Sequence, residues 1–289
     1  LALRPGMSPL EQAPDRFRVA TWNVNSLRAR TPALARFLER ARPDVVCLQE
    51  TKAATVAPVA AELFERLGYT VIHAGAGAYN GVAIASLHPV DHVVVSGEFG
   101  DEHLDPEPRL ITCVVHADEP VRVVSVYVPH GREVGHWHYE YKLAFLAALR
   151  SRVSAWLQER ALIVAGDVNV APTDSDIFHP DAFAGLTHVT DPERAALADV
   201  LAAGLVDLDA LCWGPRERRF TWWANGFTYE RNLGMRIDLL AADVRLAERL
   251  ATTWIDHIER GGERPSDHAA LIADFERERN DEDAEQRTG

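Results

Sequence analysis

Cysteine is scarce in this chain. Three residues among 289 cannot all pair, which argues against a disulfide framework and points to a reducing, cytoplasmic setting. Cys47 and Cys113 lie inside strand-like apolar runs, where a free thiol packs as a small hydrophobe. Long apolar runs are also missing. Nothing approaches the roughly 18 uninterrupted apolar residues of a membrane span, and no basic start with an apolar centre marks a secretory signal, so no membrane partner is expected. Positive charge is in short supply: 30 Lys and Arg against 43 Asp and Glu leave −13. That excludes a protein holding nucleic acid by a global basic field. A polyanionic substrate would need a locally basic face and a metal cation to offset acids clustered at the site. Linkers rich in Pro, Gly or Ser and internal repeats are absent too. The expected organisation is a flexible lead-in over residues 1–15, one domain over 16–276, and a charged, disordered tail over 277–289, acting as a monomer.

What the chain does contain is an unbroken alternation of strand and helix signals. Strands are expected at 17–23, 44–49, 69–74, 81–86, 90–96, 109–116, 121–128, 161–167, 236–241 and 268–275, and helices at 28–41, 58–67, 136–159 and 193–203. In the third helix Leu143, Leu146, Leu149, Val153 and Leu157 follow the 3.6-residue period of one buried face. The runs 81–86 and 90–96, joined at His88-Pro89, and 109–116 and 121–128, joined at Asp118-Glu119-Pro120, read as antiparallel hairpins. Hairpins mixed with helical crossovers imply an α/β fold: a four-layer α/β sandwich, two mixed β-sheets packed face to face with helices outside.

Polar residues gather where these strands begin or end. Gly166-Asp167-Val168-Asn169 follows the apolar run Leu162-Ile163-Val164-Ala165; Thr21-Trp22-Asn23-Val24-Asn25 and Leu48-Gln49-Glu50-Thr51-Lys52 follow two others; Arg236-Ile237-Asp238 and Ser266-Asp267-His268 complete the set. Each has a bland alternative. An Asp after a strand serves as a turn residue, Ser-Asp-His as a cap, Tyr127 before Pro129 as a strand residue. Asp238, between Ile237 and Leu239, needs a partner whether or not it is catalytic. Joint occurrence in one chain argues for a site.

The residue types set the chemistry. Glu50, Asp167, Asp267, Asn23 and Asn169 are hard oxygen donors without cysteine or paired-His spacing, which suits Mg²⁺, or Mn²⁺ in its place, rather than structural zinc. The reaction implied is attack of water on a phosphate ester. In it Asp167 orients and deprotonates the water, Asn169 bonds a phosphate oxygen without repelling it, and His268, kept charged by Asp238 or another carboxylate, donates to the phosphate. Tyr127 offers a phenol to the phosphate or the leaving group.

Trp22-Asn23-Val24-Asn25-Ser26-Leu27-Arg28-Ala29, Leu48-Gln49-Glu50-Thr51-Lys52, Asn80-Gly81-Val82-Ala83-Ile84, Tyr127-Val128-Pro129, Gly166-Asp167-Val168-Asn169-Val170-Ala171-Pro172, Arg236-Ile237-Asp238-Leu239-Leu240 and Ser266-Asp267-His268 resemble, in order, the signatures of the exonuclease III family of apurinic/apyrimidinic endonucleases. The resemblance runs over roughly residues 17–275 and implies the four-layer sandwich. It makes Glu50 the principal metal ligand with Asn23 and Asn25 close by, and Asp167 and Asn169 the water-orienting and phosphate-binding pair. Asp238 becomes the partner of His268, Asp267 a second metal ligand or auxiliary base, and Lys52 a neighbour of the acidic cluster. Trp222, in Phe220-Thr221-Trp222-Trp223, and Met235 and Ile237 resemble the walls of a pocket for an extruded abasic sugar. One departure is His130 where the family commonly has Asn or Gln after Tyr-Val-Pro; its bond to a phosphate would vary with pH. Arg132 and the segment Gly135-His136-Trp137-His138 are candidates for the DNA backbone, or form a solvated helix entry.

The function implied is a Mg²⁺-dependent DNA-repair phosphodiesterase that cuts double-stranded DNA 5′ to abasic sites, with 3′-to-5′ exonuclease or 3′-end-repair activity on blocked 3′ ends. The alternatives are a small-molecule or lipid phosphodiesterase or phosphatase of the same superfamily, and a non-catalytic DNA-binding protein on this fold.

Overall fold

A computed structural model of the protein describes residues 16–216 and 218–277. In chain order the strands and helices are β1 (Arg16–Asn23), α1 (Leu27–Ala41), β2 (Val45–Gln49), α2 (Pro58–Arg66), β3 (Thr70–Ala74), β4 (Val82–Ser86), β5 (Val90–Val94), β6 (Leu110–His116), β7 (Pro120–Tyr127), α3 (Trp137–Trp156) and β8 (Ala161–Asp167). There follow α4 (Pro180–Phe183), α5 (Asp191–Ala202), β9 (Leu205–Asp207), α6 (Leu208–Trp213), α7 (Gly226–Glu230), β10 (Asp238–Asp243), α8 (Val244–Glu248), β11 (Leu250–Asp256) and β12 (Ala270–Glu276).

The strands form two six-stranded sheets, ordered β11-β12-β1-β2-β4-β3 and β5-β6-β7-β8-β10-β9. Each is mixed, with one parallel pair, β1 with β2 and β7 with β8, among antiparallel neighbours. Side chains alternate across each strand. In β2, Val45 and Cys47 face the other sheet and meet a layer with Ile111 and Cys113 of β6. Val46 and Leu48 face outward onto Leu34 and Phe37 of α1 and Phe64 of α2. On the far side Phe145, Leu149 and Trp156 of α3 and Leu197 of α5 cover the second sheet. Both faces of both sheets are therefore apolar, and the molecule has the four layers expected. Each large side chain buried this way stabilises the fold by about 1.5–3 kcal/mol.

Three expectations are corrected. Strands β4 and β5 do not form a hairpin. β4, wholly buried, lies between β2 and β3 in one sheet, while the largely exposed β5 is the edge of the other, so Leu87-His88-Pro89 crosses between layers. The face that α3 buries is His138, Tyr139, Lys142, Phe145, Leu146, Leu149, Val153 and Trp156, with Leu143 and Leu157 only partly covered. β9, β11 and the short helices α4, α6, α7 and α8 were not foreseen: β9 has three residues, and β11 is half-exposed along most of its length and shows no alternation. The lead-in over 1–15 and residues 278–289 of the tail lie outside the described residues. Arg277 is described, and its guanidinium meets Asp118 at 3.2 Å and Asp44 at 3.5 Å. Among the described residues no helix is long and apolar enough to cross a membrane.

Candidate active site

Strand register assembles the site. In the second sheet Asp167, the last residue of β8, is the partner of both Tyr127 at the end of β7 and Asp238 at the start of β10, so three polar side chains form one row. In the first sheet Asn23 at the end of β1 pairs with Gln49, which places Glu50 one residue beyond. The two rows meet across the sandwich. The Asn23 carboxamide donates to Glu50 Oε1 and Asp167 Oδ2, both at 2.9 Å. Deeper in, Gln49 Nε2 donates to Ser125 Oγ at 3.2 Å, tying the layers just beneath the site.

Around Glu50 the donors are dense. Tyr127 gives its phenol to Oε1 at 3.0 Å, and the Lys52 ammonium lies 2.8 Å from Oε2. Burial alone would raise the Glu50 pKa, but the bonds from Asn23 and Lys52 and the charges of Lys52 and His268 outweigh it and hold it low. Asn25 links this group to Asp267: its Oδ1 accepts from Lys52 and its Nδ2 donates to Asp267 Oδ1 at 2.9 Å, while Trp222 Nε1 donates to Asp267 Oδ2 at 3.1 Å. Burial acts against ionisation of Asp267, yet the charge of His268 and these two bonds bring its pKa below the ordinary carboxylate value.

His268 is buried between carboxylates. Its Nδ1 donates to Asp238 Oδ2 at 2.8 Å and its Nε2 lies 3.7 Å from Asp167 Oδ2. Burial lowers an imidazole pKa, but Asp238, Asp167 and Asp267 overcome it and lift this one to about 10, so the ring is charged at neutral pH. Burial has the opposite effect on Asp167, pushing its carboxyl up to about 7 against the pull of His268. A carboxylate near 7 is poised to accept a proton. Tyr127, buried and facing Glu50 and Asp167, has its pKa raised well above the usual phenol value and keeps its proton.

Smaller groups hold these side chains. Thr221 Oγ1 accepts from the backbone N–H of Ile237 and of Asp238, each at 3.2 Å. Ser266 Oγ donates to the Asn23 carbonyl at 2.6 Å and accepts from His268 N at 3.2 Å, and Trp22 Nε1 donates to the His268 carbonyl at 3.1 Å. Asn169 takes its backbone N–H to Asp167 Oδ1 at 2.9 Å and its carboxamide to the Val128 carbonyl at 3.0 Å. Asn25, Glu50, Lys52 and Asn169 all adopt positive φ, between 45° and 52°. Such backbone costs of order 1 kcal/mol or more per residue and collects where function requires it.

The donor set fits a hard divalent cation. Among the described residues, the ion pairs of Glu50, Asp167 and Asp238 run to Lys52 and His268, and Asp267 is bonded by the neutral Asn25 and Trp222. Asp167, Asp238 and His268 bring ligand atoms within 4.8 Å of one another, the span of a metal site. A protonated imidazole, however, has no lone pair to give, so the oxygens of Glu50, Asn23, Asn25 and Asp267 suit a cation better.

The remaining expected residues lie further out. Met235 and Ile237 are buried in a small cluster with Ala171, Ile177 and Val189, against which the partly exposed Trp222 packs. His130 Nδ1 accepts from Arg132 N at 3.0 Å, and its Nε2 faces His188 Nε2 at 3.2 Å. Arg132 is exposed, 6.0 Å above the Trp137 ring. The sequence reading missed Gln49, Ser125, Thr221, His188, Lys142 and Glu193. Of these only Glu193 carried a local signal, the capping box with Thr190 at the start of α5.

A family model described as Endonuclease/Exonuclease/phosphatase family matches residues 20–268. The chain belongs to that family. It is 30% identical to exodeoxyribonuclease III of Haemophilus influenzae over 267 residues, 88% of this chain and 98% of that protein. Among solved structures it resembles an AP endonuclease from Archaeoglobus fulgidus, with a TM-score of 0.83 and 33% identity over 90% of this chain and 99% of that one. It resembles equally the Neisseria 3′ phosphatase NExo bound to a product DNA hairpin, with a TM-score of 0.83, 32% identity and the same coverage. The family sandwich of two mixed sheets is the fold described above.

Proposed function

We propose that the protein is a metal-dependent DNA-repair nuclease that hydrolyses phosphodiesters in double-stranded DNA, 5′ to abasic sites and at blocked 3′ ends. The observation that carries this reading is Asp167, a buried carboxyl with a pKa near neutrality, flanked in one strand row by Tyr127 and Asp238 and 3.7 Å from a charged imidazole. The AP endonuclease and the 3′ phosphatase that resemble this chain support the two kinds of substrate, an internal abasic site and a blocked 3′ end.

Asp167 orients a water molecule and takes its proton as the oxygen attacks phosphorus. The second N–H of the Asn169 carboxamide and the charged His268 bond the non-bridging oxygens, where negative charge grows. Asp238 keeps His268 in its charged state and fixes its ring. Tyr127, still protonated, donates to the phosphate or to the departing 3′-oxygen. Glu50, with Asn23, Asn25 and Asp267, would hold Mg²⁺ or Mn²⁺, which when bound would offset phosphate charge as a Lewis acid. Trp222 is the exposed edge of an apolar wall, with Met235 and Ile237 behind it, for a sugar without its base. Arg132 and Lys52 supply positive charge for the DNA backbone in a protein that is acidic overall.

Two duplexes test the reading, one with a single tetrahydrofuran site and one ending in a 3′-phosphate, each incubated with Mg²⁺ or with EDTA. Cleavage or release of phosphate that requires Mg²⁺ is expected. A protein inert on both duplexes but active on a soluble phosphomonoester or a phosphoinositide would move the assignment to a small-molecule or lipid phosphatase of the same family.

A further inference from the structure

Behind Asn169 lies an ion pair that the reaction as described does not use. Lys142 of α3 and Glu193 of α5 expose no side-chain surface, and Nζ and Oε1 are 2.5 Å apart. The ammonium also donates to the carbonyl of Asn169 at 2.6 Å and, more weakly, to that of His130 at 3.4 Å, so it joins the loops that follow β7 and β8. Glu193 is fully engaged: Oε1 accepts from Thr187 Oγ1 at 2.7 Å and His188 N at 2.9 Å, and Oε2 from Thr190 Oγ1 at 2.7 Å.

A second donor converges on the same carbonyl. His188 Nδ1 lies 2.5 Å from Asn169 O, and since a carbonyl only accepts, that nitrogen carries the proton. His188 Nε2 is then an acceptor for His130 Nε2, whose other nitrogen is held by the N–H of Arg132. The loop is pressed against the lysine stem: a Cβ on Gly131, at φ 89°, would stand 3.1 Å from Lys142 Cδ and 2.7 Å from Thr187 Oγ1.

An apolar pair of similar volume would pack α3 against α5 as well as this ion pair does, and often better. It could not donate to Asn169 O. Asn169 sits at φ 52°; its carbonyl lies in the peptide after its Cα and the N–H that bonds Asp167 Oδ1 in the peptide before it, so holding the carbonyl restrains the Cα from which both the carboxamide and that N–H extend. We propose that Lys142, neutralised by Glu193, is a positioning residue for hydrolysis: its ammonium holds the Asn169 carbonyl and, through the Asn169 Cα, restrains the carboxamide and the N–H that bonds the Asp167 carboxylate. This rests on the reading of Asp167 and Asn169 as reacting groups.

The test compares wild type, Lys142→Met and Lys142→Met/Glu193→Gln. The double variant leaves no unpaired buried charge, so it folds even where the single variant does not. Misplacing a reacting group by a fraction of an ångström to one ångström lowers turnover by up to about 10²-fold. In the double variant kcat on the tetrahydrofuran duplex is expected to fall by about tenfold or more, with KM and the Mg²⁺ requirement little changed. Hydrogen exchange at the Asn169 backbone N–H is expected to speed up while that of the central strands does not. A double variant with wild-type kcat and unchanged Asn169 exchange would overturn the proposal and leave Lys142 a packing residue. Wild-type protein inactive on DNA would count against the nuclease reading instead, and the exchange measurement would still decide whether Lys142 fixes Asn169.

Discussion

The two ends of the β1/β12 strand pair carry polar clusters of different character. At one end Asp274 takes a two-pronged bond from Arg18, at 2.7 and 2.9 Å, and a third from Arg16 at 3.3 Å. Asp44 beside it accepts from Arg18 N at 2.7 Å and His88 at 2.9 Å. Asp274 and Asp44 each have basic partners, Arg16 and Arg18 for the first, His88 and Arg277 for the second. At the other end, where Asn23 and His268 lie, Glu50, Asp167, Asp238 and Asp267 share Lys52 and His268, and one oxygen of Asp238 is buried without a hydrogen-bond partner. Charge matched within the fold serves stability. Charge left in excess is, on the reading proposed above, set out for a cation.

The largest effect that can break this contrast is at Asp167. Asp167→Asn keeps the shape and removes the proposed base, and kcat on DNA should fall by about 10³-fold while the melting temperature holds or rises, because a buried charge is gone. Glu50→Gln should reduce turnover to a similar degree with DNA binding preserved, since removing an acid lessens repulsion of phosphate. Incision within about tenfold of wild type at saturating Mg²⁺ would take Glu50 off the ligand list.

At the matched end the expected response is the reverse. Asp274→Asn leaves Arg18 buried and short of its carboxylate, which should cost about 3 kcal/mol or more in urea unfolding, with kcat per folded molecule unchanged. A loss of kcat without loss of stability would erase the distinction between the two ends.

A pH profile sharpens it further. With Asp167 near 7 and His268 near 10, kcat/KM should rise as pH passes 7 and the base forms, then fall as pH approaches 10 and the imidazole discharges. Asp238→Asn removes the carboxylate that most raises His268, so the basic limb should move to lower pH and activity should drop by about 10- to 10²-fold. A basic limb that stays in place would break the pairing. The smallest effect is at the rim. Trp222→Ala should cost about 1–3 kcal/mol in abasic-site incision beyond any loss, shared with hydrolysis of a small aryl phosphodiester, from the missing bond to Asp267; equal losses on both substrates would make Trp222 a support of Asp267 or of the fold rather than a pocket wall.

The contrast also shows what sequence could and could not convey. Asn23, Glu50, Asp167, Asp238 and His268 were legible because each sits at the end of an apolar run, and strand ends in such a fold share an edge. Whether β4 pairs with β5 was not legible. A short connection between two strand-like runs reads as a hairpin until one knows which strand is buried on both sides. Lys142 was hidden for a related reason: a lysine on a helix reads as solvated, and only α5, about 50 residues on, supplies the carboxylate that lets it lie in the core. Gln49, Ser125 and Thr221 make no local pattern at all, since what they join is adjacent only after the sheets pack.

The most direct measurement is a titration of Mn²⁺ followed by its EPR signal, on wild type, Glu50→Gln and Asp274→Asn. If the unmatched acids are there to hold a cation, wild type and Asp274→Asn should bind Mn²⁺ with the same affinity and Glu50→Gln should lose it by about tenfold or more. Equal binding by all three would contradict the claim that the excess charge at this end of the sandwich is a metal site.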